Sequence, residues 1–295
     1  MRSSSPPRKV KLEKHNQLAK ESVADTSKQG LPEYSNPPVD ETALSIQFAP
    51  IPGFDIRHFG LYWAEVQNDY PNFQIQHPLP SQIEQFDSAP RRQQVAFQLV
   101  SEPEIRSWYL DKTGNRLFQI QRDRVVYNWR RVLGSESYPR YPSLRKSLAA
   151  EWHRFRNFLK RHNLADPQAN QCEVMYVNHI EYGEDWKGAG DLNKVIVPWA
   201  PPRSGAFLPL PERVNMEVHY CYPDNSGRLH VSLQPVIRGR DGKEVLQLNL
   251  VARGAPKSPS DEDIFRCLDH GREWVVKGFA DFTSVSMQKL WGRKQ

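Results

Sequence analysis

A β-hairpin followed directly by an amphipathic helix is the feature that most constrains the fold of this chain. The hairpin spans residues 116–131, and its second strand alternates Val125, Tyr127 and Trp129 onto one face. From Leu144 onward, apolar side chains recur with the period of an α-helix. Because the strand pair and the helix each carry one apolar face, the two faces are expected to bury against each other, as a helix layer covering a sheet.

Similar strand patterns occur on both sides of this segment. Short alternating or β-branched runs predict strands at residues 42–48, 73–76, 95–100, 106–110, 117–121, 125–131, 171–182, 214–222, 228–237 and 244–252. Helical spacing predicts a short helix at 58–70 and two long helices at 143–162 and 261–282, with Ser143 and Ser260 as N-cap residues of the long ones. The sequence therefore predicts an α+β fold: one curved antiparallel sheet of about eight to nine strands, with both long helices packed on one face.

Two segments of low apolar content set the predicted domain boundaries. Residues 1–36 are rich in Ser, Lys, Gln and Pro and are predicted to be a disordered basic tail. Residues 37–295 are predicted to form a single α+β domain. The Gly- and Pro-rich segment 183–213 is where this domain would divide if it had two lobes.

The composition is typical of a globular protein, with 38% hydrophobic and 25% charged residues. No run approaches the roughly 20 apolar residues that a membrane helix needs, and the N-terminal stretch lacks the apolar core of a secretory signal. Cys172, Cys221 and Cys267 are far apart in the sequence and form no CxxC pair. Reduced thiols and a cytoplasmic location, without membrane contact, are therefore expected.

Positive charge is concentrated in residues 116–161. This segment holds twelve Lys or Arg and three Asp or Glu, a net charge of +9, whereas the whole chain carries +6. A basic patch with aromatic residues nearby is typical of proteins that bind nucleic acids or other polyanions. The candidate contacts are Arg122, Arg124, Arg130, Arg131, Arg154 and Arg156. Two other interpretations stay open: a solvated or ion-paired surface, and a docking surface for an acidic protein or an anionic ligand.

No motif with established chemistry occurs in the sequence. P-loop, GxGxxG, GxSxG and HExxH patterns are missing, so no catalytic residue and no cofactor are predicted, and whether the chain is an enzyme stays open. Glu and His residues on strands 171–182 and 214–222 would bind a metal only if their faces coincided, and no metal site is predicted. Asn178 and His179 are the candidate polar cluster, with hydrogen bonding to a nearby loop as the alternative role.

A curved sheet packed against long helices often leaves a cavity in which a ligand binds. Trp152, Phe155, Trp274 and Phe279 are expected either to line such a cavity or to fill the core. The leading prediction is a non-enzymatic binding or interaction module, which holds a small ligand between sheet and helices or docks a protein partner. A nucleic-acid-binding protein and an enzyme of unrecognised class are the alternatives.

Several segments, taken in order along the chain, resemble one family. They are Pro52–Phe54 with His58–Trp63, Gln119–Arg124 with Asn128–Arg130, Tyr138–Tyr141 and Cys172–Ile180. Together they are similar to a sporadically distributed bacterial protein family of unknown function, over roughly residues 37–295. The resemblance implies a single bacterial, cytoplasmic module, with no catalytic residue, cofactor or substrate to carry across. The sporadic distribution further implies a gene in a defence or regulatory operon.

Overall fold

A nine-stranded antiparallel sheet forms the centre of the computed structural model, which describes residues 30–86, 104–183, 186–200, 205 and 207–294. The strands of this sheet are β2 (Val39–Phe48), β3 (Asn72–Gln76), β4 (Arg106–Leu110), β5 (Arg116–Gln121), β6 (Arg124–Arg130), β7 (Ala169–Glu181), β8 (Met216–Cys221), β9 (Gly227–Ile237) and β10 (Glu244–Gly254). Two short strands, β1 (Glu33–Tyr34) and β11 (Arg293–Lys294), form a separate pair. The predicted strand at 95–100 lies outside the described residues.

The strand order places both halves of the chain in one open sheet. From edge to edge the order is β3-β4-β5-β6-β2-β7-β10-β9-β8, and every neighbouring pair is antiparallel. The central strand β2 pairs with β6 on one side and with β7 on the other. Because β2 joins the two halves by main-chain hydrogen bonds, the segment 183–213 does not separate two sheets.

Both long helices pack on the same face of the sheet, as the sequence predicts. The helices are α1 (Ile56–Val66), α2 (Tyr141–Arg161), α3 (Asp261–Phe282) and α4 (Val285–Leu290), with a 3-10 helix at Ala189–Lys194. Helix α2 contacts β6 and β2, whereas α3 contacts β7, β10 and β9. The α+β class and the antiparallel sheet with helices on one face are therefore confirmed.

The starts of the two long helices differ in how well the sequence predicts them. Ser260 is the N-cap of α3, and its hydroxyl accepts a hydrogen bond from the Asp263 amide at 3.3 Å. Helix α2 begins two residues before the predicted Ser143 cap, because Pro142 already occupies its first turn. Its N-cap is Arg140, whose side chain makes no capping bond.

The core lies between the helices and the sheet. The apolar stripe of α2 is buried as its periodicity predicts, and it packs on the face of β2 and β6 that carries Leu44, Ile46 and Val125. The opposite face of the sheet is polar, and the segment 77–86 crosses it from β5 to β9. Each strand thus separates an apolar layer from a polar one.

One carboxylate is buried beneath α2. Glu151 accepts hydrogen bonds from the hydroxyls of Tyr70 at 2.9 Å and Tyr62 at 3.4 Å, and the guanidinium of Arg154 lies 3.7 Å away. Burial raises the pKa of Glu151, an effect that Arg154 partly offsets. The folded chain therefore holds this proton more tightly than the unfolded chain does.

This shift fixes the sign of a pH dependence. A carboxyl whose pKa is raised on folding contributes stability that is complete below the unfolded pKa, roughly 4.3, and is lost as the pH rises through the folded pKa. Glu151→Gln removes the titration, so the free energy of unfolding of this variant should improve relative to wild type as the pH rises from about 5 to 8. Urea unfolding across that range is the measurement, with the exposed Glu217→Gln as control. Parallel pH curves for Glu151→Gln and wild type would contradict the burial effect.

A candidate ligand cavity between sheet and helices

A cavity of about 390 Å³ lies between the sheet and the helices, near the start of α2. Strands β2, β7 and β10 contribute Val39, Tyr176 and Leu250, and α3 contributes Val275 and Phe279. Most of this lining is apolar or aromatic. A few polar and charged side chains complete the lining, which is the usual make-up of a small-molecule site: Glu33, Arg140, Asn178, Arg272, Lys294 and the tyrosine hydroxyls.

A short strand pair closes one side of this sheet–helix cavity. Strand β1 pairs with β11, and the ring of Tyr34 packs edge-on against Phe279, with 5.4 Å between ring centroids. Tyr34 is only 5% exposed. The ordered fold therefore begins before Pro37, and the last residues that the sequence assigns to the tail belong to the cavity wall.

Two arginines line the sheet–helix cavity without a carboxylate partner among the described residues. The guanidinium of Arg272, on α3, lies 5.0 Å from the ring centroid of Tyr141, and its buried Nε has no hydrogen-bond partner. Arg140 lies over the ring of Tyr138 at 5.7 Å and donates to the carbonyl of Tyr34 at 3.0 Å. Their positive charge is thus balanced by aromatic faces and a carbonyl rather than by an anion.

An acidic residue one turn before Arg272 on α3 is already engaged. Asp269 accepts hydrogen bonds from the hydroxyl of Tyr141 at 2.8 Å and from Arg145 at 2.7 Å and 3.0 Å. It therefore neutralises Arg145, on the outer side of α2, and forms no ion pair with Arg272.

Tyrosine hydroxyls complete the polar part of the cavity. The hydroxyls of Tyr138 and Tyr176 lie 2.7 Å apart in a hydrogen bond, and the buried hydroxyl of Tyr34 has no partner. Burial raises the pKa of all three phenols, and the proximity of Tyr138 and Tyr176 raises the pKa of Tyr138 further. They remain neutral at physiological pH. One proton is used between Tyr138 and Tyr176, so that pair and Tyr34 can each donate one hydrogen bond to a ligand.

The backbone at the edge of the cavity is strained. Arg140 has a φ of 67°, a left-handed conformation that costs a non-glycine residue on the order of 1–3 kcal/mol. This turn leads into α2 and sets Tyr138 and Tyr141 on either side of Arg140, all three lining the cavity. Backbone strain of this kind persists only where surrounding contacts hold the residue in place, and it is concentrated at catalytic and ligand-binding sites.

The predicted polar cluster is divided between two faces of the sheet. Asn178 lines the cavity and donates to the carbonyl of Leu248 at 3.0 Å. His179 lies on the polar face, where its Nδ1 is 3.1 Å from Asp40 and its Nε2 is 3.2 Å from Gln247. Because successive side chains of a strand point to opposite faces, the two residues form no common site.

Only one of the four aromatic residues proposed for the cavity lines it. Phe279 does so, whereas Trp152 and Phe155 belong to the core, and Trp274 stacks on Tyr222 with 4.1 Å between centroids. The sequence also did not single out Tyr176, Arg140 or Arg272 as site residues. The earlier signals were two segments that the family resemblance included: Tyr138–Tyr141, which contains Arg140, and Cys172–Ile180, which contains Tyr176.

The six candidate anion contacts do not form one surface. Arg124 and Arg130 lie on the polar face of the sheet, at opposite ends of β6, while α2 covers the other face. On α2, Arg154 pairs with Asp69 at 3.0 Å, and Arg156 pairs with both Asp166 and Asp261. Arg122 and Arg131 flank β6 and are half-buried. The charge on α2 is therefore largely neutralised by carboxylates.

The described residues contain no group of three His, Cys, Asp or Glu side chains arranged to hold a metal ion. Where histidines do meet, carboxylates pair with them: the rings of His219 and His230 lie 4.5 Å apart, and Glu84 is 2.6 Å from His230. None of the helices in the described ranges is long and apolar enough to cross a membrane.

Comparisons with known proteins return no relative. No protein-family model, no curated protein and no solved structure matches this chain. The family resemblance drawn from the sequence therefore stays a prediction, and the function has to be argued from the geometry of the cavity.

Proposed function

We propose that this chain binds a small organic anion in the sheet–helix cavity and acts as a binding module rather than through catalysis. The observation that carries the proposal is Arg272, whose guanidinium lines the cavity with no carboxylate partner in the described structure and with a buried Nε that has no acceptor. A buried donor left unpaired costs about 1–3 kcal/mol, and a ligand oxygen would remove that cost.

The rest of the cavity suits the body of such a ligand. A volume of about 390 Å³ falls in the range of small-molecule sites, roughly 300–1,000 Å³. Val275, Leu250 and Phe279 offer apolar contact, while Tyr34 and the Tyr138–Tyr176 pair each offer one hydroxyl donor. This combination fits an aromatic or aliphatic carboxylate, sulfonate or phosphate ester whose anionic end meets Arg272 and Arg140.

The free thiols support a cytoplasmic setting for this activity. Cys172, Cys221 and Cys267 form no disulfide. Unpaired cysteines are typical of proteins kept in a reducing compartment. We therefore place the proposed ligand among cytoplasmic small molecules, as expected for the bacterial module that the sequence resembles.

A titration with 8-anilinonaphthalene-1-sulfonate, an aromatic sulfonate whose fluorescence rises in apolar sites, tests the proposal. We expect saturable binding at one site in the fully folded protein, because the cavity offers both an aromatic wall and a cation. Benzoate should displace the dye, whereas benzylamine, of similar shape and opposite charge, should not. Near-UV circular dichroism checks that the dye does not report a loosened fold. Unsaturable binding, or equal displacement by benzylamine, would refute an anion site.

A further inference from the structure

A second cavity, of about 310 Å³, lies on the polar face of the sheet, across strands β4 to β7. The strand register brings Trp108, Gln119, Val126 and Ser45 into one row, each on a neighbouring strand. These residues form the floor of the cavity, here called the polar cleft. It is separated from the sheet–helix cavity by the thickness of the sheet.

The segment 77–86 forms one wall of the polar cleft and is held by side-chain amides. Gln121 accepts from the amide of Leu79 at 2.8 Å and donates to the carbonyl of the same residue at 2.9 Å. Gln171 contacts this segment in the same way, through the Glu84 amide and the Gln82 carbonyl. Because each amide group presents one donor and one acceptor, it mimics a paired strand and fixes the wall in place.

Four arginines line the polar cleft, and two of them lack a carboxylate partner among the described residues. Arg124 pairs with Asp123 at 3.2 Å, and Arg253 pairs with Glu173. Arg106 and Arg130 instead lie over the ring of Trp108, at 5.5 Å and 5.2 Å from its centroid. Two guanidinium groups are thus held at one indole.

The hydrogen bonds of these two arginines are only partly satisfied. Arg106 donates one terminal NH to Gln119 at 3.0 Å, and Arg130 donates its Nε to the carbonyl of Gly114 at 3.1 Å. Burial, and then the positive charge of Arg124, lower the pKa of Arg106. Glu41 and Glu173 also line the cleft, but Glu41 accepts from Asn128 at 2.6 Å and Glu173 pairs with Arg253, so among the described residues neither forms an ion pair with Arg106 or Arg130.

Three buried polar atoms on residues lining the polar cleft have no hydrogen-bond partner in the described structure. They are the Nε of Arg106, the Nε1 of Trp108 and the hydroxyl of Ser45, a residue only 2% exposed. The first two can only donate a hydrogen bond, and the third can donate or accept. Arg106 and Trp108 lie together, so one partner that satisfied both would have to supply at least two acceptor oxygens, whereas Ser45 lies three strands away on β2.

We propose that the polar cleft is a phosphate site, in which the oxygens of a phosphate group bind Arg106, Arg130 and the indole NH of Trp108. Guanidinium groups match phosphate oxygens in geometry and hold them by charge-assisted hydrogen bonds. A phosphate offers acceptors in several directions, as donors from β4 and β6 require. The ligand is either free phosphate or the phosphate group of a small ester.

Isothermal titration calorimetry of the full chain with inorganic phosphate, at constant ionic strength, tests the site. Arg106→Gln should weaken binding at least about tenfold, since a hydrogen bond to a charged group is worth about 1.5–3 kcal/mol and 1.4 kcal/mol is a factor of ten. Arg266→Gln, on the exposed side of α3 and outside both cavities, should leave phosphate affinity within about twofold of wild type.

Trp108→Phe separates binding from folding. This change removes a buried NH that has no partner and keeps an aromatic ring under the two guanidinium groups, so the melting temperature should change little, while phosphate affinity should fall severalfold. Phenyl phosphate binding more tightly than inorganic phosphate, with the gain lost in Arg106→Gln, would identify an ester as the ligand, and the reverse order would identify the free anion.

Three results would overturn the phosphate site. The first is no heat of binding with millimolar phosphate, and the second is equal affinity in wild type, Arg106→Gln and Trp108→Phe. The third is tighter binding of a single-stranded oligonucleotide than of phosphate, with a salt dependence that reports several phosphate contacts. That last result would make the polar cleft part of a nucleic-acid interface.

Discussion

Trp152→Ala is expected to lower the free energy of unfolding by about 3–5 kcal/mol, as truncation of a fully buried tryptophan usually does. Trp152 is 1% exposed and lies 6.0 Å from the ring of Phe48 on β2. Its Nε1 also donates to the carboxylate of Asp261 at 3.0 Å, the first residue of α3. The substitution would therefore open a cavity in the core and remove a hydrogen bond between the two long helices.

Urea unfolding measures this loss, and the same helix provides the control. Asn157 lies on the exposed side of α2, and Asn157→Ala should change the free energy of unfolding by no more than about 0.5 kcal/mol. A loss below about 1 kcal/mol for Trp152→Ala would contradict the packing of α2 on the sheet.

Deleting residues 1–36 should lower the melting temperature by roughly 5–10 °C, whereas deleting residues 1–29 should change it by less than about 2 °C. The longer deletion removes β1, whose Tyr34 is buried against Phe279. It also removes the amides of Ser35 and Asn36, which donate to the carbonyls of Gly292 and Trp291 at 3.0 Å each. Loss of a buried aromatic ring costs on the order of 3 kcal/mol.

Differential scanning calorimetry of the two truncated chains checks this difference directly. The shorter deletion is the matched control, because residues 1–29 carry no apolar periodicity in the sequence. Equal melting temperatures for the two truncations would show that β1 contributes nothing to the fold and that the cavity wall is not anchored there.

Local sequence patterns predicted the helices and strands of this fold well, because the formation of a helix or strand depends mainly on residues close together in the sequence. The helical spacing from Leu144 is sufficient to identify the buried face of α2, and Ser260 marks the start of α3 by the hydrogen bond that its hydroxyl can accept. The start of α2 was predicted two residues late, since a proline at the second helical position gives no side-chain cap to recognise.

The site was harder to predict because its residues converge from distant parts of the chain. Tyr34, Tyr138, Tyr176 and Arg272 meet only because β2 lies between β6 and β7 and because β1 pairs with β11. No sequence period encodes these non-local pairings. The charge of residues 116–161 was visible, but its division between two faces of the sheet depends on the pairing of β6 with β2.

Strand alternation alone could have corrected one prediction. Asn178 and His179 are adjacent on β7, so they must point to opposite faces whatever the pairing of that strand. Arg272, by contrast, forms no ion pair with Asp269, because Tyr141 and Arg145 already bind that carboxylate. Only the packing of α2 against α3 reveals this.

We propose that Arg272 receives the anionic end of a ligand in the sheet–helix cavity, and the affinity of Arg272→Gln for 8-anilinonaphthalene-1-sulfonate tests this. Arg266→Gln is the matched control, since Arg266 lies on the same helix but is exposed and paired with Glu262 and Asp263. We expect at least about tenfold weaker binding for Arg272→Gln and a change within twofold for Arg266→Gln. Equal affinities in the two variants and the wild type would contradict it.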